Sequence, residues 1–230
     1  MSKGASFLKE ARVELAEESA GVLKHPFSAD AAAGSLPLEA LRIWCRQQYP
    51  ILRYDTRSIA HMVTRSEYLD EKQFFTMLLH GAQEAESRLE AFSGELDISL
   101  EDLRSSTLLP WTQAYGHYIA WLALYANVGE QVAAFTVNLP TYAYVMARLG
   151  EATKTHYGLT GGGYFDLWSL GLNYLDDPAE AVAPQEWEAR AVEICGRYVD
   201  KYQQEMIAAC RMLQSYELAF WDTIYKAAAV

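Results

Sequence analysis

The chain has 230 residues, enough for one sizeable core, and a formal net charge of −11 with no basic run longer than a residue or two. This balance argues against binding nucleic acid or anionic membranes by charge attraction. No apolar stretch approaches the roughly 20 residues of a membrane span, and the opening MSKGASFLKEARVELAEE lacks the apolar centre of a signal peptide, so the expectation is a cytoplasmic protein. Half of the residues are hydrophobic and no linker divides the chain, which predicts a single domain over 1–230.

Taken in order, the pattern is helical nearly throughout. Phe7, Leu8, Ala11, Leu15, Val22 and Leu23 predict one helix over 7–23. His25-Pro26-Phe27 breaks it, and SADAAAGS reads as a small-residue loop. The next helix starts at Leu36-Pro37-Leu38, with Ser35 as N-cap and Pro37 near N1, and runs to Thr64. Asp70 caps another that ends near Gly94. Ser99-Leu-Glu-Asp resembles a capping box, and Pro110 begins a helix to about Val128. Glu130–Leu149 is helical, with a kink or break expected at Asn138-Leu139-Pro140. His156–Tyr164, HYGLTGGGY, is a loop; with no strand before it and no Lys-Ser/Thr after it, a plain turn is preferred to a phosphate cradle. After DDPAEAVAPQ, a helix from Glu186 to about Leu213 continues or kinks into SYELAFWDTIY. The fold class is an all-α bundle of about seven helices, in which sites lie between facing helices.

Within that last segment Leu213, Glu217, Phe220, Trp221 and Ile224 make one inward stripe, and Glu217 is its only charge. A carboxylate there is either a structural group held by a Tyr or Arg, or a general acid/base whose pKa is raised by loss of water. The helix alone leaves both open. The five histidines are scattered, and only His80 and Glu84 share a helical i, i+4 spacing. Cys45, Cys195 and Cys210 have no zinc spacing and read as buried free thiols. The sequence thus suggests no metal and no cofactor.

Several segments together resemble the TenA (thiaminase II) family of the haem-oxygenase-like fold: HPF with the small-residue loop and GSLPLEALRIWCRQQ (25–48), QEAESRLEAFSGELDISLEDL (83–103), WTQAYGHYI (111–119), LPTYAYVMARLG (139–150) and YELAFWDTIY (216–225). The resemblance implies a haem-oxygenase-like helical bundle. It places the active-site glutamate on Glu217, a tyrosine near the reacting groups on Tyr115, and the ligand among Gln48, Thr141, Tyr142, Tyr144 and Phe220. Two departures stand out. The nucleophilic members carry Leu-Pro-Cys; here the segment is Leu139-Pro140-Thr141, and a one-residue shift puts Tyr142 at that place instead. The family's ring-binding aspartate is replaced by Gln48; Asp55, seven residues on, lies on a similar face of the helix. Iron-dependent relatives use Glu and His ligands, whereas Glu84, Glu86 and Glu90 come without a histidine on their helix. The PqqC-like relatives use many basic side chains; this acidic chain offers few, and Arg46, Arg53 and Arg57 make a short stripe read as solvated or interfacial.

The resemblance implies a C–N hydrolase of the aminopyrimidine aminohydrolase type, acting on a thiamin-related aminopyrimidine or similar small aromatic, with Glu217 as general acid/base and no cysteine nucleophile. Two alternatives stay open: a small-molecule binding protein on the same scaffold, and an oxidase of the same fold. The expected partners are a small-molecule ligand and further copies of the chain, as a homodimer or homotetramer.

Overall fold

The computed structural model describes residues 1–168 and 185–228. Every long element among them is a helix. Helix α1 (Lys3–Glu14) starts where Ser2 Oγ accepts from Ala5 N, and α2 covers Ala16–Leu23. The single helix expected over 7–23 is therefore two. No glycine or proline announces the break; Leu15 leaves helical geometry at φ −102°, ψ 16° and is fully buried. The loop expected at SADAAAGS is largely α3 (Pro26–Ala32), with Pro26 in its first turn and His25 Nδ1 accepting from Phe27 N. Alanine is the best helix former, and its run outweighs the small-residue look of the segment.

Helix α4 (Leu38–Arg65) is preceded by Pro37 at the N-cap, while Ser35 Oγ turns back to the carbonyl of Asp30. Pro50 lies inside it without ending it. In α5 (Leu69–Glu95) the start is tied by Glu71, whose carboxylate accepts from the backbone N–H of Glu67 and Tyr68 at 3.2 Å each, rather than by Asp70. The short α6 (Leu100–Arg104) is capped by Ser99 as its sequence predicts, and α7 (Pro110–Tyr125) starts at its proline. Asn127 and Glu130 form a reciprocal cap on α8 (Val128–Ala152).

Pro140 does not break α8, and the surroundings give the reason. A proline frees the carbonyl four residues earlier, here Thr136, and the Nη2 of Arg12 donates to it at 3.4 Å. Arg12 is buried and bidentate to Glu188, both bonds 2.8 Å. One side chain from α1 thus repairs α8 and ties both to α9 (Gln185–Ala228). That last helix bends at Tyr202 (φ −130°, ψ 24°), earlier than the expected junction near Leu213. DDPAEAVAPQ lies outside the described residues except for its final glutamine.

The glycine-rich segment is a π turn (Thr153–Tyr157) followed by a 3-10 turn (Gly161–Gly163). Its N–H groups do form an anion cradle, but the anion is internal. Glu95 accepts from the N–H of Thr160, Gly161 and Gly162 at 2.5, 3.2 and 2.7 Å, and from the Thr160 hydroxyl at 2.6 Å. Gly162 sits at φ +55° with the backbone of Phe92 against it, so a side chain has no room there.

The core divides into two apolar clusters. One gathers Phe7, Phe74, Phe75, Ile119 and Phe135 with both arms of α9. The other gathers Phe27, Trp44, Phe92, Phe165 and Trp221. Tyr115 packs against both. No described helix is long and apolar enough to cross a membrane.

Candidate functional site

At the seam between the two clusters lies a cavity of about 170 Å³. Helix α4 contributes Gln48, Ile51, Leu52, Asp55 and Ile59; α5 contributes small and apolar residues from Met77 to Ala85. Tyr115 comes from α7, Phe135, Leu139 and Tyr142 from α8, and Trp187, Glu217, Phe220 and Trp221 from α9. Trp168 completes the described wall. The wall is aromatic on several sides, and the only carboxylic acids among its described residues are Asp55 and Glu217.

Glu217 is 2% exposed. Asn138 Nδ2 donates to one carboxyl oxygen and Trp221 Nε1 donates to the other at 3.3 Å. The same Asn138 amide donates to Gln214 Oε1 at 3.0 Å, and its carbonyl accepts from the Tyr115 hydroxyl at 2.9 Å. A chain therefore runs from Tyr115 through Asn138 to Glu217. Every named donor to Glu217 is neutral. Burial pushes its carboxyl up to about 7, while the Asn138 and Trp221 bonds pull it partly back. The group thus stands near half-protonation at neutral pH, the condition for giving and taking a proton in one cycle.

Asp55 is driven up to about 8 by burial. Its Oδ1 is covered and has no hydrogen-bond partner. Tyr115 lies close to both acids: burial first, then the charges of Asp55 and Glu217, raise its phenol well above its ordinary value and keep it protonated.

The site residues named from the sequence sort cleanly by position. Glu217, Tyr115, Gln48, Tyr142 and Phe220 line the cavity; Thr141 and Tyr144 are not among the described residues that do. Tyr142 exchanges a 2.7 Å hydroxyl bond with Tyr164 and meets Trp168 edge-on at 5.0 Å. Tyr144 instead lies under Arg148, whose guanidinium is 5.6 Å from its ring centre. Tyr115, which the resemblance places near the reacting groups, reaches Glu217 through Asn138. The arginine stripe points away: Arg46 pairs with Glu39 at 3.2 Å and Arg53 with Glu86 at 3.7 Å. Glu84 pairs with Arg88 at 2.7 Å, and His80 is exposed. All three cysteines are buried, and burial pushes the Cys45 and Cys210 thiols up to about 12. No thiolate among the described residues faces the cavity.

Asn138, Trp168 and Trp187 escaped the sequence reading. For Asn138 a signal existed: an amide within the apolar run of α8 needs partners, but its place beside Leu139-Pro140 made it look like part of a kink.

Residues 10–227 match the model of the TENA/THI-4/PQQC family. Among solved structures the fold is similar to that of a TenA family transcription regulator from Silicibacter sp. TM1040, at 20% identity and TM-score 0.76, over 97% of each chain. It is similar to a putative TenA-like thiaminase from Sulfolobus solfataricus P2, at 13% identity and TM-score 0.62, over 95% of this chain and 96% of that one. It is also similar to a domain of unknown function with a haem-oxygenase-like fold from Shewanella denitrificans OS217, at 14% identity and TM-score 0.71, over 96% and 91%. No curated protein matches the sequence. The fold is the haem-oxygenase-like helical bundle.

Proposed function

The chain belongs to the TENA/THI-4/PQQC family, and on that premise we propose that it hydrolyses a C–N bond in a thiamin-related aminopyrimidine or similar small aromatic, with Glu217 as general acid and base. One observation carries this reading: a buried carboxyl with neutral partners, poised near neutrality, in an aromatic cavity. For an aminomethyl-substituted ring the balance is simple. Protonated Glu217 gives its proton to the leaving amine as the C–N bond breaks. Water forms the C–O bond and returns a proton to the carboxylate, so alcohol and ammonia leave and the enzyme is unchanged. Asn138 holds the carboxyl in place from the side of Tyr115. Stacking against the aromatic walls orients the ring.

The test is ammonia release from 4-amino-5-aminomethyl-2-methylpyrimidine by the purified chain. Turnover lost in Glu217→Gln supports the reading; a rate equal to the buffer blank overturns it. Thiamin itself is expected to be cleaved weakly or not at all, because its thiazolium nitrogen has no lone pair for Glu217 to protonate and no thiolate among the described residues faces the cavity to attack instead.

Two other readings fit less well. Direct regulation of DNA by a chain of net charge −11 lacks the basic surface that phosphates require. A metal-dependent oxidase needs a ligand set, and the described wall offers two carboxyls with no histidine. The outer face of α7 leaves Trp111 and Tyr125 63% and 71% exposed, which supports the expectation of a homodimer or homotetramer. Light scattering that finds only a 25.9 kDa species at micromolar concentration overturns it.

A further inference from the structure

We propose that Gly81 is the doorway of the cavity, and that its missing side chain decides which ligands pass: a flat ring slips in beside α5, and bulk at position 81 shuts the passage. The inference rests on the reading of the cavity as a small-molecule site and deepens it by naming the residue that controls access.

Three observations meet here. A ligand reaches a cavity where the wall is open to solvent. Among the described lining residues Gly81 alone is exposed; the others are buried or half-buried. The second observation is what position 81 lacks. Gly81 lies in the middle of α5, where only proline is a poorer helix former than glycine. Other helical glycines have a packing reason. A Cβ on Gly4 would run into the Val192 carbonyl, one on Gly129 into the Tyr198 side chain, and one on Gly150 into that of Phe165. At Gly81 no described atom lies within 4 Å of the place a Cβ would take. Gly94 is equally free, but it lies in the last turn of α5 and is not among the described lining. Close packing therefore gives no account of Gly81, whereas open space at the rim of a cavity does.

The third observation is the course of α5 past its neighbours. Positions 70, 73, 77, 81, 84, 88 and 95 share one edge of the helix, because steps of about 100° return them to within about 80° of one another. The first arm of α9 covers the start of that edge: Arg197 pairs with Asp70 at 2.8 Å, and Arg190 donates to Gln73 Oε1 at 2.7 Å. The glycine-rich turn covers its end, where Arg88 donates to the Gly163 carbonyl at 2.9 Å and Glu95 accepts from the N–H groups of the turn. Between these covers Glu84 turns to Arg88 on its own helix, and among the described residues positions 77–84 make no hydrogen bond or ion pair to another element. Gly81 sits in that gap, with Ala82 and Ala85 beside it on the cavity wall. The hydrogen-bond donors to Glu217 come from α8 and α9, not from α5. A plug at position 81 thus acts on passage and leaves the bonds of the acid intact.

Gly81→Cys makes the test. The three natural cysteines are buried and their thiols pushed up, so the added thiol is the reactive one. Benzyl methanethiosulfonate caps it with a phenyl ring through a mixed disulfide, which dithiothreitol removes. The probe is 4-nitroaniline, a flat neutral ring that absorbs where tryptophan emits. Its uptake is followed by stopped-flow quenching of the cavity tryptophans, among them Trp187. A plug in a passage slows entry and exit alike and leaves equilibrium affinity alone. The benzyl adduct is therefore expected to lower kon and koff each by at least about tenfold with Kd held within about threefold, while uncapped Gly81→Cys changes neither rate more than about threefold. Dithiothreitol is expected to restore both rates. Gly81→Phe serves as a second variant, expected to match the benzyl adduct, and thermal melts confirm folding. Benzyl-adduct rates equal to those of the wild type overturn the proposal. So does a loss of affinity carried by koff alone, which would make position 81 part of the binding wall. A wild type that takes up no 4-nitroaniline overturns it as well. Uptake is read without turnover: gated entry with no ammonia release would refute the hydrolase and leave Gly81 in this role, and ammonia release untouched by the benzyl adduct would refute the doorway alone.

Discussion

Glu71 and Glu217 are both glutamates with almost no solvent exposure, 0% and 2%, yet their surroundings are opposite. Glu71 accepts from two backbone N–H groups, from the Tyr198 hydroxyl at 2.9 Å and from the Arg197 guanidinium at 3.1 Å. Its charge is matched and its lone pairs are filled, so it serves as a pin between the start of α5 and the first arm of α9. Glu217 has an amide and an indole for partners and the cavity alongside. Burial therefore does not define a reactive carboxyl; the charge and number of its partners do.

The largest expected effects separate the two. Glu217→Gln keeps the shape and removes the acid, and kcat is expected to fall by roughly 10²- to 10⁴-fold, with the melting temperature unchanged or raised. Glu71→Gln does the reverse. It leaves Arg197 short of a charge and the start of α5 short of an acceptor, for a loss of roughly 3 kcal/mol, with activity per folded molecule retained. Urea melts and steady-state kinetics on both variants check this, and an early-melting Glu217→Gln would make Glu217 a second pin.

How this contrast was legible in the sequence is instructive. Helical periodicity put Glu217 in an apolar stripe with Phe220 and Trp221, and all three line the cavity. Periodicity finds a face, because side chains three and four apart must share one. It does not say what stands opposite. Nothing near Glu217 in sequence points to Asn138, 79 positions away, so the carboxyl's partner could not be read. Nor could the survival of α8 through Pro140, which depends on Arg12 from the first helix. The glycine-rich turn was recognised as a turn, but its tenant, Glu95, is likewise remote in sequence.

A pH series sharpens the comparison. Glu217 titrates near 4.5 when unfolded and near 7 in the fold, so between those values the native state holds a proton that the unfolded chain has lost. Stability from this group therefore falls as pH rises through the window, by an amount on the order of 3 kcal/mol, and is level above it. His25, whose burial lowers its pKa, acts in the opposite direction below 6.5. The quantity to measure is thus the difference between wild type and Glu217→Gln from pH 5 to 8. A difference that does not change with pH contradicts a raised Glu217.

Asn138→Leu probes the link rather than the acid. It strands the Tyr115 hydroxyl, Gln214 Oε1 and one oxygen of Glu217, and a loss of roughly 1–3 kcal/mol of stability is expected. It also removes a bond that favours the ionised carboxylate, so the alkaline limb of the pH–rate profile is expected to move up. A profile that keeps its position, with activity reduced, would limit Asn138 to packing.

The smallest effect is expected at Thr141, and it bears on the missing cysteine. Neighbours on a helix point about 100° apart, so Thr141 and Tyr142 do not share a direction. The structure gives the cavity to Tyr142, whose hydroxyl meets Tyr164, and buries Thr141 at 3% exposure outside the described wall. Thr141→Ala is accordingly expected to change kcat less than about twofold, as for a substitution away from the chemistry. Thr141→Cys is the sharper experiment. If direction governs, the new thiol gains no thiamin cleavage and stays slow toward iodoacetamide, because a buried thiol forms little thiolate. Vigorous cleavage by Thr141→Cys would put position 141 in the cavity and return the nucleophile's place to α8, beside Glu217.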